Sequence, residues 1–159
     1  MASANVPPEN HVSVLDGQGW VGLIDHLGSE TTIVNAARVS FGKIKDAMDD
    51  KDADLLRYLL ENRHTSPMEP LMFTFSVHCP LFVRGQWHRH RTWSYNEISR
   101  RYTEVDMEFY APRELRGQAE SDRQASVSTS VAGAEKLRTK IDEHNRQSLA
   151  LYEELLEAG

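Results

Sequence analysis

The residues that could do chemistry are concentrated between Arg84 and Tyr102. This stretch, RGQWHRHRTWSYNEISRRY, holds five arginines and one glutamate, a formal charge of +4 in a chain whose formal net charge is −6. Two histidines, His88 and His90, lie among the arginines. Arginine binds phosphate and carboxylate groups through two parallel hydrogen bonds. We therefore predict that this stretch, called the basic island below, binds a small ligand with several negative charges.

The whole chain has the size of one compact domain. Its 159 residues are 40% hydrophobic, and a chain of this length can bury roughly 70% of its unfolded surface. A single cysteine, Cys79, excludes an internal disulfide and is typical of the reducing cytosol. We expect a cytoplasmic protein, because neither a secretion signal nor a membrane-spanning run is recognisable. The acidic balance argues against indiscriminate binding of nucleic acid.

Three extended segments are predicted from the hydrophobic pattern. Apolar and polar side chains alternate from Leu71 to Cys79, which indicates a half-buried strand with an apolar face formed by every second residue. Two shorter extended pieces, His11–Leu15 and Trp20–Leu27, are bounded by glycines. Residues 1–10 are predicted to form a loose tail, and residues 116–133 a polar loop.

Four helices are predicted from apolar residues at three-to-four spacing. In chain order they run from the N-cap Ser29 to Arg38, from Asp52 to Asn62, from Leu81 to His90, and from Ala134 to a cap at Gly159. The third helix carries the first half of the basic island, which continues as a loop from Thr92 to Asn96. These elements predict an α/β or α+β single domain in which helices flank a mixed or antiparallel central sheet.

Several spaced motifs give the chain a resemblance to a known family. Arg89, His90 and Arg91 are followed after seven residues by Ser99 and then by Arg101. Shorter motifs precede and follow them: AARVSF at 36–41, RHTSPMEP at 63–70, FTF at 73–75 and EFYAP at 108–112. Together these motifs resemble the flavin-dependent (alternative) thymidylate synthases over about residues 31–112.

Membership of that family would imply an enzyme that makes dTMP from dUMP. Methylenetetrahydrofolate would donate the carbon, and FAD, reduced by NADPH, would supply the hydride. Family members are homotetramers in which each active site uses residues of several subunits. They also extend beyond residue 159, through a segment with the arginine thought to ionise the uracil ring. The resemblance therefore implies that this catalytic group and the C-terminal part of the fold lie outside the chain, with a complementing C-terminal fragment as an alternative partner.

The resemblance also implies two sets of site residues. The flavin would contact Ser40, His64, Ser66, Arg89, His90, Arg91 and Glu97. The nucleotide would be bound by Gln86, Trp87, His88, Arg89, Glu97, Ile98, Ser99, Arg100 and Arg101. Met68, Pro70 and Arg100 depart from the family pattern, in which an aromatic residue, a histidine and a glycine are common. We expect these three changes to alter contacts with flavin or folate.

Other interpretations of the same residues remain open. Trp93 and Tyr95 could stack bases of a single strand, which would make the chain a non-catalytic nucleotide- or RNA-binding module. A third hypothesis is an interaction subunit that needs a complementing chain. Metal binding is not predicted, because the histidines do not have the spacing of a closed zinc site. Cys79 is expected to be a buried structural thiol.

Overall fold

The computed structural model describes residues 6–99, 101–103 and 107–159. Within them the strands are β1 (His11–Val14), β2 (Gly19–Leu27), β3 (Met72–His78), β4 (Arg116–Gln118) and β5 (Ser126–Ser130). The helices are α1 (Glu30–Arg38), α2 (Asp50–Glu61), α3 (Leu81–Trp87) and α4 (Ala134–Ala158). One sheet has the strand order β1-β2-β3, and β4 pairs with β5 in an antiparallel hairpin. The predicted α+β class, with antiparallel sheets flanked by helices, is confirmed.

The chain forms two compact units. The N-terminal unit consists of Pro7–Val12 and Val21–Val77, and the C-terminal unit includes Ser13–Trp20 and His78–Gly159. The prediction of one domain over residues 1–159 stays a prediction. Of the tail predicted at residues 1–10, residues 1–5 lie outside the described residues. No helix in the described part of the chain is long and apolar enough to cross a membrane.

Capping hydrogen bonds fix the start of both helices in the N-terminal unit. At α1 the backbone N–H of Ser29 donates to the hydroxyl of Thr32 at 3.0 Å, so the predicted N-cap is confirmed. At α2 the carboxylates of Asp49 and Asp52 each accept a hydrogen bond from the other residue's backbone N–H, both at 3.0 Å. Such reciprocal capping satisfies N–H groups that have no partner inside the helix.

A small apolar core lies between α1 and α2, which contact each other. Ile33 and Val34 of α1 and Leu59 of α2 are buried. Full burial of one such side chain contributes about 1.5–3 kcal/mol. The sequence pattern predicts one apolar stripe on α2, formed by Leu55, Leu56, Leu59 and Leu60. This prediction is correct in part, since Leu60 is 57% exposed.

Strand β3 forms where the alternating pattern predicts it, but its apolar face is not half-buried as expected. Phe73 and Phe75 are 56% and 44% exposed. Alternation identifies which face of a strand is apolar, and it does not say whether the same chain covers that face. An exposed apolar strand face is typical of a surface that meets another molecule.

The polar loop predicted for residues 116–133 is wrong at both of its ends. The structure has β4 and β5 there, paired between Gln118 and Ser126. The guanidinium group of Arg116 also donates to the carbonyl oxygen of Ser126 at 3.2 Å. The run SVSTS contains valine and threonine, which favour strands, and this preference outweighs the small polar residues beside them.

The long C-terminal helix α4 begins at the predicted residue, Ala134. None of its residues is buried, although Ile141 and Leu149 are partly covered. Large apolar side chains near its end, including Leu155 and Leu156, are exposed. The amphipathic pattern therefore identified the helix, but the chain covers only part of its apolar side.

Candidate functional site

The basic island begins on α3 and leaves the helix after Trp87. The sequence predicts that this helix runs to His90, and the observed helix ends three residues earlier, at Trp87. In a continuing helix the carbonyl oxygen of Trp87 would accept from the N–H of Arg91. Instead it accepts from the N–H of His90 at 2.9 Å and from the hydroxyl of Tyr95 at 3.0 Å. This turn places Arg89 and Arg91 beyond the helix.

Aromatic side chains hold the following loop against the end of α3. The rings of Trp87 and Trp93 meet edge to face with centroids 5.6 Å apart. The ring of Tyr95 lies 4.2 Å from that of His88 and 6.5 Å from that of Trp93. Trp87, His88 and Tyr95 are half-buried, whereas Trp93 is 49% exposed. Trp87 and Tyr95 are thus packing residues, and Trp93 keeps an accessible face.

The single acid of the island is paired with one of its arginines. Glu97 accepts a hydrogen bond from Nη1 of Arg84 at 2.7 Å. The Nε atom of Arg84 is buried without a hydrogen-bond partner among the residues that the structure describes. Arg89 and Arg91 are exposed, and neither forms an ion pair with a carboxylate of the described residues. Among the described residues, no carboxylate therefore neutralises their positive charge.

The second half of the island forms a turn around Ser99. The backbone N–H of Arg101 donates to the hydroxyl oxygen of Ser99 at 3.3 Å, and the guanidinium of Arg101 lies 5.7 Å from the ring centre of Tyr102. Ile98 and Glu97 are exposed, as is Gln86 on α3. Arg100, also predicted to bind the nucleotide, lies outside the described residues.

The remaining predicted flavin residues belong to the N-terminal unit. Ser40 lies in a 3₁₀ turn, Val39–Phe41, that directly follows α1, and Ser66 begins a second turn, Ser66–Met68. Helix α1 contacts both turns. His64 lies just before the second turn, with its ring edge to face with Tyr58 at 5.9 Å. Ser40, His64 and Ser66 are all exposed.

A buried charge network that the sequence did not reveal fixes the end of α1. The fully buried carboxylate of Asp52 pairs with the guanidinium of Arg38 and accepts from Nζ of Lys45 at 2.8 Å. Asn35 exchanges two hydrogen bonds with the backbone of Lys45, at 2.8 and 3.0 Å. The hydrogen bond from Lys45, helped by Arg38, holds the pKa of Asp52 well below its usual range despite burial.

The sequence alone suggests that Arg38 is a surface charge or a group facing an anion site, and this network corrects that interpretation. The available signal was Asp52 at the third position of α2, where an acidic residue caps the helix. Because Arg38 ends α1 and precedes Ser40 by two residues, the network holds the turn that carries Ser40. Its role is to position this part of the N-terminal unit.

Two further contacts surround the start of α3 in the C-terminal unit. Nε2 of His78 lies 3.0 Å from a carboxylate oxygen of Glu108, and its ring stacks on Trp20 at 5.9 Å. The sequence alone predicts that His78, on an alternating strand, is a satisfied and partly exposed histidine, and these contacts agree with that prediction. Burial raises the pKa of the neighbouring Cys79 thiol, which is half-buried rather than fully buried as expected.

An open cleft of about 840 Å³ lies within the N-terminal unit. Its apolar lining includes Leu56, Leu71 and Phe73, and Met68 lies beside them. Met68 is one of the three departures from the family pattern. Within the described ranges, no group of three or more His, Cys, Asp or Glu residues could hold a metal ion.

Comparisons with known proteins agree with the motifs. Residues 22–159 match the family model of the thymidylate synthase complementing protein, Thy1. The flavin-dependent thymidylate synthase of Thermus thermophilus is 42% identical over 148 residues, which cover 93% of this chain and 53% of that protein. The enzyme of the same name from Thermosipho africanus is 42% identical over 151 residues, covering 92% of this chain and 64% of that protein. The chain therefore belongs to the flavin-dependent thymidylate synthase family, and it spans about half to two thirds of the length of these relatives.

Solved structures show the same similarity. The UMP/dUMP methylase PolB from Streptomyces cacaoi, bound with 5-Br dUMP, is 36% identical with a TM-score of 0.73. The match covers 89% of this chain and 62% of PolB. The same methylase bound with 5-Br UMP is 33% identical with a TM-score of 0.71, and the match covers 89% of this chain and 61% of PolB.

Proposed function

We propose that the chain carries the nucleotide- and flavin-binding part of an enzyme that methylates dUMP to dTMP. The observation that carries the proposal is the pair Arg89 and Arg91, which is exposed on a locked turn and unpaired among the described residues. Arginines in this state suit phosphate groups, because binding them breaks no existing ion pair. The names of the relatives support the same reaction.

The residues divide into two binding roles. Arg89, His90 and Arg91 would bind the diphosphate of FAD, with Ser40, His64, Ser66 and Glu97 as further flavin contacts. The buried Nε of Arg84, which has no partner among the described residues, and the exposed guanidinium groups fit an anionic group in this place. When bound, the flavin supplies the hydride, with NADPH as reductant and methylenetetrahydrofolate as carbon donor.

The nucleotide role uses the helix end and the Ser99 turn. The residues proposed for it are Gln86, Trp87, His88, Arg89, Glu97, Ile98, Ser99, Arg100 and Arg101. The hydroxyl of Ser99 and the backbone N–H groups of its turn are suited to a phosphate. The uracil ring would lie near half-buried aromatic groups, where water is partly excluded.

A homotetramer with shared active sites is part of the proposal. Its support is a set of exposed aromatic side chains in the N-terminal unit: Phe41, directly after Ser40, is 76% exposed, and Phe73 and Phe75 are exposed on β3. Clusters of exposed aromatic side chains are typical of surfaces that another chain covers.

The proposal is tested by purifying the chain and measuring bound flavin, dUMP affinity and NADPH oxidation. We expect yellow protein whose NADPH oxidation is stimulated by dUMP in the presence of methylenetetrahydrofolate. UMP is tested in parallel, because PolB is described as a methylase of both nucleotides. A chain that binds neither FAD nor dUMP at low salt would contradict the proposal.

A second candidate function, binding of single-stranded RNA without catalysis, is favoured by the accessible ring of Trp93 beside Arg91. Aromatic rings next to arginines can stack bases of any sequence. This function predicts that single-stranded RNA binds more tightly than dUMP, with an affinity that falls steeply as salt rises. Equal RNA affinity at low and high salt would exclude it.

A further inference from the structure

The side chain of Tyr95 attaches its loop to the turn that carries Arg89 and Arg91, which is called the basic turn below. The hydroxyl group of Tyr95 lies 3.0 Å from the carbonyl oxygen of Trp87 and 2.9 Å from that of His90. Its single proton is shared between the two acceptors. Carbonyl groups at the end of a helix lack partners inside the helix, so a side-chain donor at this place fixes the exit of the chain.

The ring of Tyr95 adds a second attachment. It packs against His88 at a centroid distance of 4.2 Å, and it is half-buried. The hydroxyl and the ring therefore contact three residues of the same turn, Trp87, His88 and His90. The two exposed arginines, Arg89 and Arg91, lie on either side of His90, whose carbonyl oxygen accepts one of these hydrogen bonds.

We infer that Tyr95 is the positioning residue of the anion site, which its hydroxyl keeps in the binding conformation by holding the turn that carries Arg89 and Arg91. The inference rests on the proposed function for the identity of the ligands. An arginine pair fixed before binding loses less conformational freedom when a phosphate arrives, and affinity rises accordingly. Tyr95 itself makes no ligand contact in this account.

The test compares two variants that each remove one hydroxyl from the C-terminal unit. Tyr95→Phe keeps the ring and removes the bonds to the two carbonyl groups. Tyr110→Phe is the matched control, because its hydroxyl bonds to Asp16 at 3.4 Å and to no residue of the basic turn among the described residues. Dissociation constants for FAD, dUMP and inorganic pyrophosphate are measured for both variants and for the unchanged chain, together with the urea midpoint of unfolding.

Tyr95→Phe is expected to weaken all three ligands by about 3- to 10-fold, the effect of one hydrogen bond. Its urea midpoint should fall no further than that of Tyr110→Phe, which also loses one hydroxyl, and Tyr110→Phe should bind the ligands within about twofold of the unchanged chain. Hydrogen exchange without ligand gives the second readout. The amide of His90, which bonds to Trp87, should exchange faster in Tyr95→Phe only.

Two results would overturn the inference: ligand affinities in Tyr95→Phe equal to those of the unchanged chain, or unaltered exchange at His90. An equal loss of ligand affinity in Tyr95→Phe and Tyr110→Phe, with a lowered urea midpoint in both, would also overturn it, since that pattern reports general destabilisation. Failure of the unchanged chain to bind FAD and dUMP would instead contradict the proposed function. The ligand part of the inference would then fall with it, while the exchange experiment would still decide whether Tyr95 holds the turn.

Discussion

Two clusters of positively charged residues in this chain have opposite environments. In the N-terminal unit, Arg38 and Lys45 surround the buried carboxylate of Asp52, so each positive charge has a partner in the chain. In the C-terminal unit, Arg89 and Arg91 are exposed and have no carboxylate partner among the described residues. The difference supports our proposal that the first cluster serves the fold and the second binds a ligand.

The two clusters also differ in the hydrogen bonds that the surrounding groups make. Burial of a charge is tolerated only when pairing and hydrogen bonds compensate it, and the network around Asp52 supplies both. Around the basic turn, the neutral side chain of Tyr95 donates to backbone carbonyl groups instead of to charged groups. The guanidinium groups of Arg89 and Arg91 have no protein hydrogen bonds in the described structure. Substitutions in the first cluster should therefore lower stability, and substitutions in the second should lower ligand affinity.

The largest effect on stability is expected from Asp52→Asn. The substitution removes the buried negative charge and leaves Arg38 and Lys45 without it, so the free energy of unfolding should fall sharply. Urea unfolding followed by circular dichroism measures the change. Asp54→Asn is the matched control on the same helix, because its ion pair with Arg57 is exposed and should contribute at most about 1 kcal/mol. Equal urea midpoints for Asp52→Asn and Asp54→Asn would contradict a stabilising role for the network around Asp52.

The next effect concerns affinity rather than stability. Arg89→Ala should weaken dUMP binding by about 10- to 100-fold, as expected for loss of a charge-assisted hydrogen bond. Its unfolding midpoint should not change, because Arg89 is exposed and unpaired in the described structure. Isothermal titration with dUMP measures the loss, and Arg57→Ala, an exposed arginine of α2, serves as control. A lowered midpoint in Arg89→Ala would place the residue in the fold instead of the site.

A smaller effect appears as a pH dependence of stability. Hydrogen bonds from Lys45 lower the pKa values of Asp52 and Asp49 in the folded state, whereas an unfolded aspartate titrates near about 3.9. The native state thus binds fewer protons than the unfolded state below that value. The contribution is complete above about pH 4 and is lost as pH falls towards the folded-state pKa. Urea midpoints measured from neutral to acid pH should fall more steeply in the unchanged chain than in Asp52→Asn.

The smallest effect tests whether the positive charge of the island activates its neighbour. The pKa of Cys79 is raised mainly by burial, although Arg84 opposes the change. A thiol with a raised pKa has little thiolate at neutral pH, so iodoacetamide should react with it more slowly than with free cysteine. Because Cys79 is the sole cysteine of the sequence, mass spectrometry of the intact chain gives the rate. A faster reaction than that of free cysteine would show that the positive charge of the basic island lowers the pKa of the Cys79 thiol.

The sequence was sufficient for elements with local signals. The N-cap Ser29 marks the start of α1, alternation marks β3, and three-to-four spacing marks α4, and the structure has all three. Such signals depend on residues close together in the chain. The hairpin of β4 and β5 was missed because its residues are small and polar, which is also typical of loops.

Long-range pairing explains most of the remaining differences. The bond between Arg38 and Asp52 requires α1 and α2 to meet in one orientation, which no local pattern specifies. Similarly, the shortened α3 follows from the return of Tyr95 to the helix end. The spaced motif identified the basic island, but the separation of its residues into exposed and packing groups needed the fold.

The central claim is that unpaired guanidinium groups of the basic island bind the phosphates of the ligand. The most direct measurement is a titration with FAD at low and high salt, for the unchanged chain and for the double variant Arg89→Gln/Arg91→Gln. We predict that FAD binding weakens as salt rises, and that the double variant loses at least about 10-fold in affinity together with most of this salt dependence. Equal affinity and equal salt dependence in the two proteins, or no FAD binding by the unchanged chain, would contradict the account.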